Sequence, residues 1–295
     1  MAGQTVSATE VLVGVRPDDA ESIAVVAEFT GRLPVRVVVA LGIGVIGSMN
    51  SCVCVSQGEF VALLDDDVEI PANWLERTHR HFADPKVAGV GGRDLLQDHP
   101  EWRPKEPLAR QVGIFTWYGR PIGNHHRGTG PARKVHVLKG CNCIYRGALL
   151  RRIGFDERLL GAGAQVGWEL SLAFDVRREG GELVYDPGIE VIHWVAPRHD
   201  SDSLHRGAFD PIGLRNMVYN DQLIMATKAP PALRLFYLIW TLAWGSRLAP
   251  GLVRAIVLSS RGDKNAWGRC GIAGSAVKEV WGELLRLRSG GNTSR

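Results

Sequence analysis

The chain has 295 residues, 45% of them hydrophobic and 22% charged. That balance suits a globular protein with a sizeable core and excludes a disordered, collagen-like or disulfide-stapled miniature scaffold. The net charge of +4 is unevenly placed: residues 228–295 carry 11 Lys/Arg against 3 Asp/Glu, which leaves the tail at +8 and the body at −4.

Residues 10–15 (EVLVGV) read as a first strand, and Pro17-Asp18-Asp19 as a turn that starts a helix running to about Gly31. Val35–Leu41 reads as a buried strand, 47–57 as a helix, and Glu59–Leu64 as a third strand ending in Asp65-Asp66-Asp67. A helix over 72–83 and a strand over 86–92 come next, and after them an irregular stretch, 93–134, long enough to suggest a binding role. Strands are expected at 135–138 and 143–145, helices at 147–153 and 167–179, and two strands at 182–185 and 189–193. Strands alternating with helices predict an α/β fold with a mostly parallel sheet flanked by helices, a Rossmann-like nucleotide-binding half. Ligands gather at the carboxyl ends of such strands, which is where the three aspartates fall. From about Pro211 the chain reads as helical, so the expected division is 1–210 and 211–295.

Four of the nine tryptophans, Trp240, Trp244, Trp267 and Trp281, lie in the basic tail, a composition suited to a membrane interface. The apolar run 235–245 is too short to span a bilayer, and Arg247, Pro250 and Arg254 interrupt the residues after it. An interfacial helix is therefore expected, with Trp240 and Trp244 on one face. No nucleic-acid-binding motif accompanies the positive charge, and nucleic acid is not an expected partner. Cys52/Cys54 and Cys141/Cys143 match no usual zinc spacing and read as reduced, buried thiols. The opening MAGQTVSATE has neither a basic nor an apolar region of a secretory signal, which points to a cytoplasmic protein.

Two readings compete at the nucleotide site. Gly42-Ile43-Gly44-Val45-Ile46-Gly47 is a complete G-x-G-x-x-G after a strand, with Asp65 about 20 residues on, the pattern of an NAD-type Rossmann oxidoreductase. The other takes Asp65-Asp66-Asp67 as a D-x-D whose mutual repulsion a divalent cation relieves, with the cation carrying a nucleoside diphosphate. A non-catalytic nucleotide-sugar-binding or membrane scaffold protein is a third possibility.

Beyond these glycines and acids, the run Gly44 to Asn50, then Gly58-Glu59, the D-x-D, Pro71 and Trp74-Leu75 resemble the family 2 glycosyltransferases of the GT-A fold. A second block is similar to that family in the same order: Lys139-Gly140-Cys141-Asn142, Phe155-Asp156-Glu157, Trp168-Glu169, Tyr185-Asp186-Pro187 and His193. The resemblance covers about residues 10–195. It departs from the family at the acidic pair, which here has one carboxylate, Glu169, and residues 31–44 are too short for the strand-end aspartate that reads a nucleobase. A Gln-x-x-Arg-Trp motif of polymerising members is absent, which implies transfer of one sugar.

The resemblance implies an inverting, metal-dependent glycosyltransferase that uses Mn²⁺ or Mg²⁺. Asp67 and His193 would hold the metal, with His193 alternatively on the diphosphate. Arg16, Gly44, Asn50, Asp65, Asp66, Gly140, Cys141 and Asn142 would bind the nucleotide sugar, Asp65 through the ribose or metal-bound water. Glu169 would be the general base. Trp168, Trp117, Asn124, His125 and His126 are the expected acceptor-binding residues, the histidines serving the acceptor or the diphosphate. The expected partners are a nucleoside diphosphate sugar, a glycan or lipid-linked acceptor, and the inner face of the cell membrane, on which the tail would lie peripherally. Oligomeric state is not legible.

Overall fold

The computed structural model describes residues 1–97, 107–194 and 209–290. Part of the long segment expected to bind, 98–106, and the stretch 195–208 before the expected division lie outside them. The chain forms two compact units. The first holds Met1–Phe115, Pro121–Asp156 and Glu169–Pro197, and the second holds Thr116–Arg120, Glu157–Trp168 and Arg198–Arg295.

The first unit opens with β1 (Val11–Val15), α1 (Ala20–Ala27), β2 (Val35–Val39) and α2 (Gly44–Val55). Asp19 caps α1, its carboxylate accepting from the Ser22 backbone N–H at 3.0 Å. Gly42 and Gly47 bring their backbones so close that a Cβ on Gly47 would lie 2.2 Å from the Gly42 carbonyl carbon. The glycine motif therefore serves this tight strand-to-helix turn itself.

Then come β3 (Phe60–Leu63), β4 (Val68–Glu69), α3 (Trp74–His79) with a 3₁₀ turn over Arg80–Ala83, and β5 (Val87–Gln97). The segment after it contributes β6 (Ile114–Phe115), β7 (Pro121–Ile122) and β8 (Arg133–Val135). Next are β9 (Cys143–Arg146), α4 (Gly147–Ile153), α5 (Trp168–Arg178) and β10 (Glu182–Trp194). The six-stranded sheet runs β3-β9-β5-β10-β4, with β8 also on β10, while β1 and β2 pair separately. The α/β class is as expected, but strand direction is not mostly parallel. The β1·β2 and β5·β10 ladders are parallel, and those of β9 with β3 and β5, and of β10 with β4 and β8, are antiparallel. β9 enters after a tight loop instead of a crossover helix, and antiparallel pairing needs no crossover. One face of this sheet buries Trp74, Phe82, Val90, Ile144, Val184 and Val191 in a common core.

The second unit carries α6 (Pro211–Lys228), α7 (Pro231–Ala243), α8 (Leu252–Ser260) and α9 (Ala266–Gly290). Asp210 caps α6, accepting from the N–H groups of Ile212 and Gly213 at 2.7 and 3.2 Å, and Pro211 sits where no donor is needed. Arg215 grips Glu279 through both carboxylate oxygens at 2.6 and 2.8 Å, and Tyr219 donates to Glu283 at 2.9 Å, which fixes α6 against α9. No helix among the described residues is long and apolar enough to cross a membrane.

Candidate active site

Strand register assembles the site. Asp65–Asp67 come directly after β3. β4 then pairs antiparallel with β10 so that Val68 faces His193, and the Trp194 N–H donates to the Asp67 carbonyl at 2.8 Å. His193 is thereby set beside the aspartate preceding its partner, its Nε2 lying 3.2 Å from Asp67 Oδ1. On the other side of β10, Val191 faces Asp94 of β5. Asp94 and His193 are thus diagonal neighbours on one face of the sheet, His193 Nδ1 lying 3.8 Å from Asp94 Oδ2. Lys139 closes the row, its ammonium paired with Asp94.

His193 and Asp94 are 2% and 1% exposed, yet neither imidazole nitrogen nor Asp94 Oδ1 makes a hydrogen bond among the described residues. The Asp67 contact is an ion-pair distance without hydrogen-bond alignment. Leaving such buried atoms unsatisfied costs roughly 1–3 kcal/mol each, so their convergence calls for a partner. Asp65, Asp67 and His193 each offer one ligand atom, all within 4.8 Å of one another. Two carboxylates and an imidazole are a donor set that fits Mn²⁺ or Mg²⁺. Asp94, Cys141 and His193 form a second such group, but there the Lys139 ammonium already occupies the carboxylate.

The charges of these groups act on one another. Burial alone would lower the His193 pKa, but the Asp67 and Asp94 carboxylates outweigh it and push it up to about 9. Asp94, which burial would raise, is held at about 2 by His193 and Lys139. Burial also opposes the charge on Lys139, and Asp94 prevails, so its pKa is raised. Without a cation the protonated imidazole supplies the positive charge between two acids.

Glu169 is half-buried in the first turn of α5. Burial raises its pKa, the neighbouring Asp65 charge adds to this, and hydrogen bonds from its own N–H and that of Gly140 oppose it. The loop 139–142 therefore touches both acids, with Lys139 on Asp94 and Gly140 on Glu169.

The remaining expected residues are placed variously. Asn142 is 1% exposed and its amide is engaged by the fold: it accepts from Trp74 Nε1 at 2.9 Å and donates to the Arg93 and Ile189 carbonyls at 3.1 and 3.0 Å. Asn50 donates to the Phe155 carbonyl at 3.0 Å and accepts from its N–H at 2.8 Å, which staples α2 to the segment after α4. Cys141 is buried beside Lys139, its thiol raised by burial and by Asp94. Cys54, expected inside, is exposed. Arg16 is exposed after β1, Asp66 is exposed between Asp65 and Asp67, and Gly44 opens α2 with φ +67°. Asn124 adopts a left-handed φ of 56° and donates to the Gln111 carbonyl at 3.0 Å. His125 is buried with Nε2 2.9 Å from the Val137 carbonyl, and burial lowers its pKa to about 4, so it is a neutral framework histidine. His126 is half-buried and lowered for the same reason. Trp117 and Trp168 belong to the second unit, where Trp117 is 76% exposed and packs edge-on to Phe236, and Trp168 is buried.

Asp94 is missed by sequence reasoning. Its signal is an acid two residues past Gly91-Gly92, in a segment that reads as the start of a loop. Lys139 reads only as part of a glycine-asparagine turn.

The family described as glycosyltransferase like family 2 matches residues 1–203. Pre-mycofactocin glycosyltransferase from Mycobacterium tuberculosis, in strains CDC 1551 and H37Rv, is 24% identical over 261 residues, 83% of this chain and 51% of that protein. The chain thus spans about half the length of the curated relatives it matches. Among solved structures, TarS 1-349 of S. aureus aligns with a TM-score of 0.57 at 15% identity, over 94% of this chain and 75% of that one. The same protein is also known in complex with UDP-GlcNAc, with a TM-score of 0.53 at 13% identity over 95% and 77%. GalNAc-T7 with UDP, GalNAc and Mn²⁺ aligns with a TM-score of 0.52 at 13% identity, over 78% of this chain and 48% of that one. These likenesses place the sheet and its helices in the GT-A fold.

Proposed function

The chain belongs to glycosyltransferase-like family 2, and from that premise we propose that it moves one sugar, with inversion, from a nucleoside diphosphate sugar to an acceptor hydroxyl, using Mn²⁺ or Mg²⁺. Family membership displaces the dinucleotide and scaffold alternatives. The observation that carries the metal-dependent reading is the meeting of Asp65, Asp67 and His193, with Glu169 near enough to feel the charge of Asp65.

Asp67 and His193 would hold the cation, with Asp65 beside them on the cation or the ribose. A cation held there would supply the positive charge that offsets the departing diphosphate. Glu169 takes the proton of the acceptor hydroxyl onto its carboxylate, and burial suits it to that task by raising its basicity above that of an exposed glutamate. A single displacement at the anomeric carbon opposite the leaving diphosphate inverts its configuration. Gly140 would lie against the donor sugar, while Asn142 fixes the turn that carries it to β5 and β10.

The UDP-sugar complexes of the structural neighbours support a uridine nucleotide as the first donor class to test. Calorimetry with UDP, GDP and dTDP, each with and without Mn²⁺, tests the reading. Metal-dependent binding of one nucleotide is expected, with a loss of at least about 10²-fold in Asp67→Ala. Unchanged metal-dependent affinity in folded Asp67→Ala would sink it.

A lipid-linked or cell-envelope acceptor, reached from the inner face of a membrane, is the accompanying part of the proposal. Its support is on α7 and α8, where Leu235, Phe236, Ile239, Leu252, Val253 and Ile256 are all exposed. Between Asp221 and Asp263 there is no acidic residue, while Lys228, Arg234, Arg247, Arg254 and Arg261 are spread along the segment. An apolar outer face with only positive charge around it suits an anionic lipid surface. The tryptophans contribute differently from expectation. Trp240 is half-buried against Tyr118 and Tyr237, and Trp244 lies past the end of α7 with the Arg254 guanidinium 4.9 Å over its ring.

A further inference from the structure

We propose that Asp94, anchored by Lys139, is the positioning residue that turns His193 toward the D-x-D aspartates. The inference rests on the metal reading above and concerns residues that touch neither donor nor acceptor. Three observations carry it. First, the parallel β5·β10 ladder sets Asp94 on the same face as His193 from the side opposite Asp67, so the ring lies between two carboxylates with one nitrogen toward each. Second, Asp94 is 1% exposed and Lys139 pairs with it, so the carboxylate is fixed from behind and its charge is compensated. Third, His193 Nδ1 and Asp94 Oδ1 are buried without hydrogen bonds among the described residues, and Nδ1 is 3.8 Å from Oδ2, less than about 1 Å beyond hydrogen-bond length.

An imidazole that ligates a metal through one nitrogen ordinarily donates its other N–H to a carboxylate, which fixes tautomer and ring orientation. With hydrogen on Nδ1 directed at Asp94, Nε2 presents its lone pair toward Asp65 and Asp67. Asp94 itself is excluded as a ligand by the Lys139 ammonium on its carboxylate, since a cation there would meet a like charge. Cys141 is excluded as well, because its sulfur suits metals softer than Mn²⁺ or Mg²⁺. Lys139 also feels Glu169, so one half-buried cation offsets the charge of both acids.

The test is Mn²⁺ binding to the full chain in the presence of UDP, monitored by the paramagnetic resonance signal of free Mn²⁺. Asp94→Asn is expected to weaken Mn²⁺ binding 10–100-fold. Asp94→Glu should restore part of that loss, Lys139→Met should lose several-fold, and metal-free UDP binding should be the same in all three. A folded Asp94→Asn with wild-type Mn²⁺ affinity overturns the proposal. Wild-type protein that binds no Mn²⁺ overturns the metal reading and this inference with it. Should the variants fail to fold, nitrogen NMR of the wild-type His193 ring with Mg²⁺ and UDP decides: hydrogen on Nδ1 and a bare Nε2 is expected, and the opposite tautomer overturns it.

Discussion

The strand-end cluster of the first unit and the α7–α8 face of the second break the same rule in opposite directions. In the cluster, charge is inside: Asp94 and His193 are buried, with Lys139 half-buried on Asp94 and Asp67 beside His193. On α7 and α8, apolar side chains are outside, with Leu235, Ile239, Leu252 and Ile256 each more than half exposed. Neither arrangement is what folding alone selects, because buried charge and exposed large hydrophobics both cost stability. Under the proposed function each is completed by a partner: a hard cation with its nucleotide would complete the first, and a lipid surface would complete the second.

The largest expected effect sharpens the catalytic side. Glu169→Gln is expected to lower kcat by roughly 10²–10⁴-fold while donor binding holds, which a turnover assay paired with nucleotide titration reads. The base works ionised and its pKa is raised, so wild-type turnover should fall with decreasing pH along a limb lying above the ordinary glutamate value. The residual activity of the Gln variant should lack that limb. Linkage gives the accompanying stability sign. A raised carboxylate binds protons more readily folded than unfolded, so its ionisation costs stability above its ordinary pKa, and Glu169→Gln should melt no lower than wild type at neutral pH. Near-normal turnover would make Glu169 a helix-start residue only.

The second test breaks the comparison from the other side. Leu235→Glu with Ile239→Glu removes apolar surface and adds negative charge on the α7 face. Flotation with anionic liposomes should fall roughly tenfold or more, with melting temperature and nucleotide binding unchanged. Equal flotation would show that this face meets no membrane. The smallest effect is electrostatic: Arg247→Gln should weaken anionic-liposome binding about fivefold at low salt, the scale of one basic residue, and the difference should shrink as salt rises.

How much of the molecule is legible in the sequence depends on the range of the interactions. The strand end that carries Asp65–Asp67 is legible from its own neighbours, whereas Glu169 and His193 stand out in the sequence only through the family resemblance. Asp94 is concealed because β5 reads as ending at Gly91-Gly92. There the glycine marks a close approach of β10 instead, since a Cβ on Gly92 would lie 1.7 Å from the Ile189 carbonyl oxygen. Pro187-Gly188 likewise divides β10 into two expected strands, whereas the chain continues through an irregularity between Tyr185 and Glu190. The mixed sheet direction and the pairing of Asp94 with Lys139 depend on partners distant in sequence, which periodicity does not encode. Asn50 and Asn142 are legible as positions but not as staples, because their hydrogen-bond partners are backbone groups of other segments.

The register that joins β5 to β10 also sets when the site can exist. Asp94 and His193 are roughly a hundred residues apart in sequence, and contacts of that separation close late because loop entropy opposes them. During synthesis His193 is the last of the cluster to leave the ribosome, so a nascent chain that already displays its three aspartates cannot yet enclose a cation between Asp67 and the imidazole. Ligand-dependent protection from proteolysis should therefore appear abruptly, in chains that extend past Trp194, instead of growing gradually with length.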